Sequence, residues 1–164
     1  MSADHSQRPL RELLDQLAAR TPTPGGGTSA AWATAIGAAL VEMAAAFAED
    51  ADAAARAAEL RMRALELAEQ ELHSYEPVLE ARRLPDDDPG KQERLREALT
   101  SAADTPRVIA AAAAEVTELA TRLAAGGKPA LAGDAETGAA LAEAAHAAAQ
   151  RLAEINLSEA SRLG

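Results

Sequence analysis

Three consecutive glycines, flanked by prolines on one side and hydroxyl residues on the other, form the segment of this chain best suited to chemistry: Pro22-Thr23-Pro24-Gly25-Gly26-Gly27-Thr28-Ser29. Residues without a Cβ let another group come close to the main chain. Placed ahead of a helix, they also aim unpaired N–H groups outward, which favours a polar or anionic neighbour. The segment is not a P-loop, because no Lys follows in a Gly-Lys-Ser/Thr arrangement. The same glycines also suit a plain turn between two helices. Glu66, Glu69 and His73 fall on one helical face and resemble a metal cluster on paper, but a solvated charged face accounts for them better, and no metal is expected. Asp134 stands at an expected helix start, where Asp ordinarily caps the first turn. His5 and His146 read as incidental. No thiol chemistry is available, since the chain has no cysteine.

The elements that would position these groups are all helical. Pro9 suits a first turn, and Leu10, Leu13, Leu14 and Leu17 follow at helical spacing, with a stop near Arg20. The Pro-Gly segment cannot be helical, and Thr28 or Ser29 is expected to cap a second helix running to about Glu49. That helix is apolar nearly all round and reads as the central one. A long third helix starts near Ala51 to Ala53, with Leu65, Ala68, Leu72, Tyr75 and Leu79 in its stripe, and Pro77 should kink or break it. After a loop over Leu84 to Gly90 comes a short polar helix from about Lys91 to Ala103. Asp104-Thr105-Pro106 starts the next, with Ile109, Ala112, Val116, Leu119 and Leu123 inward. Gly126-Gly127-Lys128-Pro129 ends it. A last helix, capped by Asp134, turns Leu141, Ala145, Ala148, Leu152 and Ile155 to the core. The spacing predicts an all-α, antiparallel bundle of five or six helices, one domain over residues 1–164, with residues 1–8 as a flexible tail.

Composition narrows the partners. Apolar residues make up 48% of the 164, but aromatics only 2% (Trp32, Phe47 and Tyr75), so the core must be built from small aliphatic side chains on closely packed helices. Alanine, the best helix former, supplies much of it. The formal charge of -10 repels phosphate backbones and anionic bilayers, which argues against nucleic acid and membrane as partners. The apolar run from Ser29 to Phe47 is interrupted by Thr34 and Glu42 and lacks basic flanks, so a membrane span is not expected. The polar start of the chain has no apolar leader core. With no cysteine present, the expected compartment is the cytoplasm.

The ordered motifs resemble one family. Pro-x-Pro-Gly-Gly-Gly-Thr leading into an Ala-rich helix is similar to the opening of the cyclodeaminase/cyclohydrolase family of folate metabolism, which comprises the formiminotransferase-cyclodeaminase C-terminal domain and the bacterial methenyltetrahydrofolate cyclohydrolases. Glu71-Leu72-His73-Ser74-Tyr75, then Glu80-Ala81-Arg82-Arg83-Leu84-Pro85, resembles the family's Asp-Ala-x-Ala-Phe and Glu-Ala-x-basic-Leu-Pro blocks. Thr105-Pro106, Gly127 to Ala135 and Ile155-Asn156-Leu157 resemble later blocks, in the family's order.

The resemblance implies an all-α homodimer acting on a tetrahydrofolate derivative, without a metal or redox cofactor. Two reactions are implied: loss of ammonia from 5-formiminotetrahydrofolate, and hydration of 5,10-methenyltetrahydrofolate. It also implies site residues: Glu71 and Glu69 at the positions of two family aspartates as catalytic groups, and Pro24, Gly25, Gly26, Gly27, Thr28, Ser29, Tyr75, Asp134 and Asn156 around the substrate. Helix geometry puts Glu71 at the edge of the apolar stripe, where desolvation can raise a carboxyl pKa; a solvated face remains the alternative for both glutamates. Lys128 is a further guess for the folate tail. The chain departs from the family by Glu for Asp at 69 and 71, Ala130 and Gly133 in place of polar residues, and Leu152 in place of an asparagine. It also ends soon after Ile-Asn-Leu, where members continue into another helix; such an end would leave an apolar face for a partner subunit. These departures leave open a repurposed member acting on another imine or amidine, or a silent protein that only binds a ligand or partner.

Overall fold

The computed structural model describes residues 9–126 and 129–163, with the side chains of Pro129 and Ala130 excepted. The expected tail over residues 1–8, Gly127, Lys128 and the side chain of Ala130 therefore lie outside the described residues. The regular structure among the described residues is all helix: α1 (Leu10–Leu17), α2 (Gly26–Phe47), α3 (Ala51–Ser74), α4 (Glu76–Arg82), α5 (Lys91–Ser101), α6 (Asp104–Gly126) and α7 (Pro129–Ser161). The all-α bundle is as expected, and Pro77 breaks the third helix as its position predicts, so the described residues form seven helical segments. Tyr75 ends α3 and begins α4, and Pro77 falls in the first turn of α4, where no N–H is required. The first helix ends at Leu17, ahead of Arg20, and buries none of its residues.

Helices α2, α3, α6 and α7 share one core. Neighbours run antiparallel. Glu42 pairs with Arg61 at 2.8 Å, while Gly27, earlier on α2, meets Glu71, later on α3. Residue numbers fall on one helix as they rise on the other, as the three-residue link 48–50 requires. That link is made by Glu49 at φ 61°, with Asp50 N–H bonded to the Ala45 carbonyl at 3.0 Å. These contacts close the carbonyl end of α2. Asp50 then caps α3 by accepting from Ala53 N–H at 3.0 Å.

The core is alanine-rich, as the composition requires. Its few fully buried larger residues include Val41, Leu67, Ile109 and Val116. Each of these contributes about 1.5–3 kcal/mol by leaving water. The alanines contribute less singly but let the helix axes approach. A close approach of two helix backbones is made at Gly37 of α2 and Gly138 of α7. A Cβ on Gly37 would stand 2.8 Å from the Gly138 carbonyl oxygen, and one on Gly138 would stand 3.0 Å from that of Gly37. Backbone cannot move aside as a side chain can. Gly37→Ala is therefore expected to cost about 1–3 kcal/mol in overpacking, which outweighs the gain of about 1 kcal/mol in helix propensity. A lowered urea midpoint with an unchanged slope would check it.

The buried face of α7 departs from the expected stripe. Ala135, Ala142, Ala145, Ala149, Ala153 and Ala160 are buried, whereas Ala148 is exposed and Ile155 is 45% exposed. Alanines face the neighbouring helices because only they fit at that separation. α2 is long and apolar enough to cross a membrane by length and composition, but half of its apolar window is buried in the bundle. A smaller cluster of Val78, Leu99, Ala102 and Ala160 ties α4, α5 and α7 together, and so fixes the end of the bundle where α2 begins.

Candidate active site

At that end a cleft of about 180 Å³ is walled by the start of α2, the end of α3 and the later part of α7. Its floor is the glycine segment. α2 begins at Gly26 with Gly25 as its N-cap, and no side chain caps it. This corrects the expected cap at Thr28 or Ser29. Glycine takes the cap position, Thr28 is buried in the first turn, and Ser29 Oγ donates back to the Gly25 carbonyl at 2.9 Å. The first helical bond joins Ser29 N–H to the Gly25 carbonyl at 3.0 Å. The amides of Gly26, Gly27 and Thr28 therefore precede the hydrogen-bonded ladder at the positive end of the helix.

Glu71 fills the space that Gly27 leaves. A Cβ on Gly27 would overlap Glu71 Oε1 and lie 2.5 Å from Cδ and 2.7 Å from Cγ. The carboxyl is half-buried, and Ser74 Oγ stands 3.1 Å from both its Oε2 and the Glu71 carbonyl oxygen. Burial pushes the Glu71 pKa up from 4.5 to about 7, against the Ser74 hydrogen bond, which lowers it. The result is a carboxyl that holds and releases a proton near neutrality.

The cleft brings together Gly25, Gly26, Gly27, Thr28, Glu71, Tyr75 and Asn156. Arg82, paired with Glu159 at 2.7 Å, stands 5.8 Å from the centre of the Tyr75 ring. Asn156 Nδ2 donates to the Ala102 carbonyl at 3.0 Å, which binds α7 to the turn after α5. Its carbonyl oxygen and one amide hydrogen remain for a ligand.

Four expected site residues fall elsewhere. Glu69 does not line the cleft; two residues along a helix is a turn of about 200°, so it cannot share a direction with Glu71. Pro24 lines an adjoining recess with Gln16, Leu72 and His73. Ser29 is turned back on Gly25. Asp134 is not a cap, because α7 starts at Pro129; it lies about 33 Å along the helix from Asn156. Glu66 pairs with Arg63 at 3.1 Å and His73 faces Glu76 at 3.3 Å. His146 Nδ1 meets the Ala110 carbonyl at 2.8 Å and joins α7 to α6.

Two residues join the site unforeseen. Ser74 orients Glu71, and its signal was the i, i+3 spacing on α3. Leu152, one turn before Asn156, walls the cleft with methyl groups; a Cβ on Gly26 would meet its Cδ1 at 3.4 Å. A larger groove of about 980 Å³ between α3 and α6 is less suited to catalysis. Its Arg56 and Glu115 already neutralise one another at 2.6 Å.

The sequence profile of the formiminotransferase-cyclodeaminase family matches residues 9–161. The chain belongs to that family. Among solved structures, formiminotetrahydrofolate cyclodeaminase from Thermotoga maritima is similar to it, with 27% identity and a TM-score of 0.84 over 94% of this chain and 80% of the other. Among curated protein sequences there is no significant match. The family match runs across every element that walls the cleft, from the glycines through α3 to Asn156.

The raised Glu71 pKa has a consequence for stability. Below about pH 4.5 the folded and unfolded chains both hold this proton, so there is no penalty. Above about pH 7 both have lost it, and the folded chain bears the full cost of a half-buried charge. Stability from this group therefore falls as pH rises between those values. Glu71→Gln removes the charge. With discounting for partial exposure, the variant is expected to match the parent at pH 4.5 and to exceed it by about 1–2 kcal/mol at pH 8. Melting temperatures at the two pH values check this; about 2–8 °C is expected at pH 8 only.

Proposed function

We propose that this protein is a folate one-carbon enzyme of the cyclodeaminase or cyclohydrolase type, acting in the cytoplasm without a metal or redox cofactor, with Glu71 as its proton-transfer group. One observation carries the reading: an acid titrating near neutrality is held against the bare backbone of Gly27 in a cleft framed by the family's motifs. A general acid–base works best with a pKa close to the operating pH. A cationic bridge between two nitrogens would draw the carboxyl into its ionised form, so binding and proton release are coupled. In hydration, water attacks the bridge carbon and gives one proton to Glu71, which passes it to N5 as the carbon–N5 bond breaks, while the hydroxyl left on carbon releases its own proton to solvent as the formyl C=O forms. In deamination, N10 attacks the carbon of the protonated formimino group, its proton passes to Glu71 and then to the resulting amine, and the carbon–nitrogen bond breaks to release ammonia and leave the methenyl cation.

At about 180 Å³ the cleft lies below the usual range for a whole ligand, so it fits the reacting end of a folate and leaves the tail outside. The test follows the absorbance band of 5,10-methenyltetrahydrofolate with purified protein. Its decay reports hydration, and its growth from the 5-formimino compound reports deamination. Rates equal to the buffer blank in both directions, with no heat of folate binding by calorimetry, would sink the proposal.

A further inference from the structure

The start of α2 holds hydrogen-bond donors that proton transfer by Glu71 leaves unused. Its first backbone bond runs from Ser29 N–H to the Gly25 carbonyl, so the amides of Gly26, Gly27 and Thr28 have no backbone acceptor among the described residues. Helix amides point toward the N-terminal end, which here opens on the cleft, and all three residues line it. The Thr28 side chain is a second, independent observation. The residue is 1% exposed and lines the cleft. Ser29 and Thr34, the next hydroxyls of the helix, each donate to the carbonyl four residues earlier at 2.9 Å. The Thr28 hydroxyl makes no hydrogen bond among the described residues. A buried hydroxyl without a partner is costly to keep, which points to an acceptor brought by the ligand.

Charge names that acceptor. Donors at the positive end of a helix favour an oxygen that gains negative charge and oppose a group that gains positive charge. The methyl groups of Leu152, beside Gly26 in the same cleft, keep water from them and so strengthen them. The two reactions differ in this respect. Hydration leaves an oxygen on the bridge carbon, and that oxygen carries negative charge as its proton departs to solvent. Deamination must build a protonated amine on the same carbon and leaves no oxygen there.

We infer that the Thr28 hydroxyl, with the amides of Gly26, Gly27 and Thr28, forms an oxyanion hole for the formyl oxygen, which commits this site to hydration of the methenyl bridge rather than to loss of ammonia. Water supplies the oxygen, Glu71 carries one of its protons to N5 as the carbon–N5 bond breaks, and the other goes to solvent while the donors hold the oxygen that becomes the formyl C=O. The inference rests on the folate reading and adds to it a second catalytic residue and a choice of reaction.

Two analogues isolate the oxygen from the rest of the ligand: 10-formyl-5,8-dideazafolate and 10-methyl-5,8-dideazafolate, which differ only in the group on N10. Thr28→Val removes the hydroxyl and keeps the shape. By calorimetry it is expected to weaken the formyl compound about 3–10-fold, the worth of one hydrogen bond, and to leave the methyl compound unchanged; Thr28→Ser should restore the formyl affinity. The kcat for hydration of 5,10-methenyltetrahydrofolate should fall about 10–10²-fold in Thr28→Val with KM little changed, as for a hydrogen bond to a charged group. Its melting temperature should hold or rise, because an unpartnered buried hydroxyl is gone. The parent gives a readout that needs no variant: it should hydrate the bridge, and should form no methenyl band from the 5-formimino compound above the blank. Deamination by the parent, or binding and hydration indifferent to Thr28, would overturn this inference and leave the folate reading standing. So would equal weakening of both analogues, which would put the donors on a ring carbonyl. A parent that binds neither analogue and hydrates nothing would remove the folate reading and the oxyanion hole together.

Discussion

Glu71→Gln is expected to lower turnover of the folate bridge by about 10²–10⁴-fold, the usual contribution of a positioned acid–base group. Gln is nearly isosteric and keeps a partner for Ser74, so the cleft retains its shape and loses only the group that exchanges a proton. The parent should show a rate that rises with pH as one group titrates and levels above about pH 7, because the ionised carboxylate is the acceptor and its pKa is pushed up to about 7 by burial. The variant should lose that dependence along with the rate. Because the same substitution is expected to stabilise the fold at pH 8, a slow variant cannot be dismissed as an unfolded one. A Gln variant with more than a tenth of parental activity would remove Glu71 from the chemistry.

Gly27→Ala is the second large effect. Its Cβ would occupy the space of the Glu71 carboxyl, with Cδ at 2.5 Å. The first turn of α2 cannot yield, since Gly27 and Thr28 are buried in it, so the carboxyl must swing out and give up Ser74. Misplacing a reacting group by about an ångström costs about 10²-fold. The helix meanwhile gains about 1 kcal/mol from replacing Gly by Ala. The expected outcome is a strong loss of turnover with an equal or higher melting temperature, and a Glu71 titration moved to lower pH by its new exposure. Gly26→Ala is the control, since its Cβ meets only the flexible Leu152 at 3.4 Å. Equal loss in both variants would show that the glycines act through something other than room for Glu71.

Much of this protein was legible in its sequence because the decisive signals are local. Alanine content, Pro9, Pro77, Asp104 and the Pro-Gly segment set the all-α class and most helix limits through backbone preferences that act within a turn. The ordered motifs carried the family. Within α6, the inward residues Ile109, Ala112, Val116 and Leu119 were also readable, since one face of a long helix follows from its period.

The remainder depended on which helix meets which, and no local signal carries that. Periodicity places Glu71 at the edge of a stripe, but only the antiparallel register of α2 on α3 brings it to Gly27, 44 positions earlier in the chain, and only that burial raises its pKa. Asp134 had the look of a cap until the helix proved to begin five residues earlier, which leaves it at the far end of α7 from the cleft. On α7 the larger aliphatics Leu152 and Ile155 had the better hydrophobic claim to the core, and alanines took it, because the separation between axes admits nothing larger. Side-chain chemistry and helix period belong to the chain alone; distance between helices, and the desolvation that follows from it, exist only once the chain has packed.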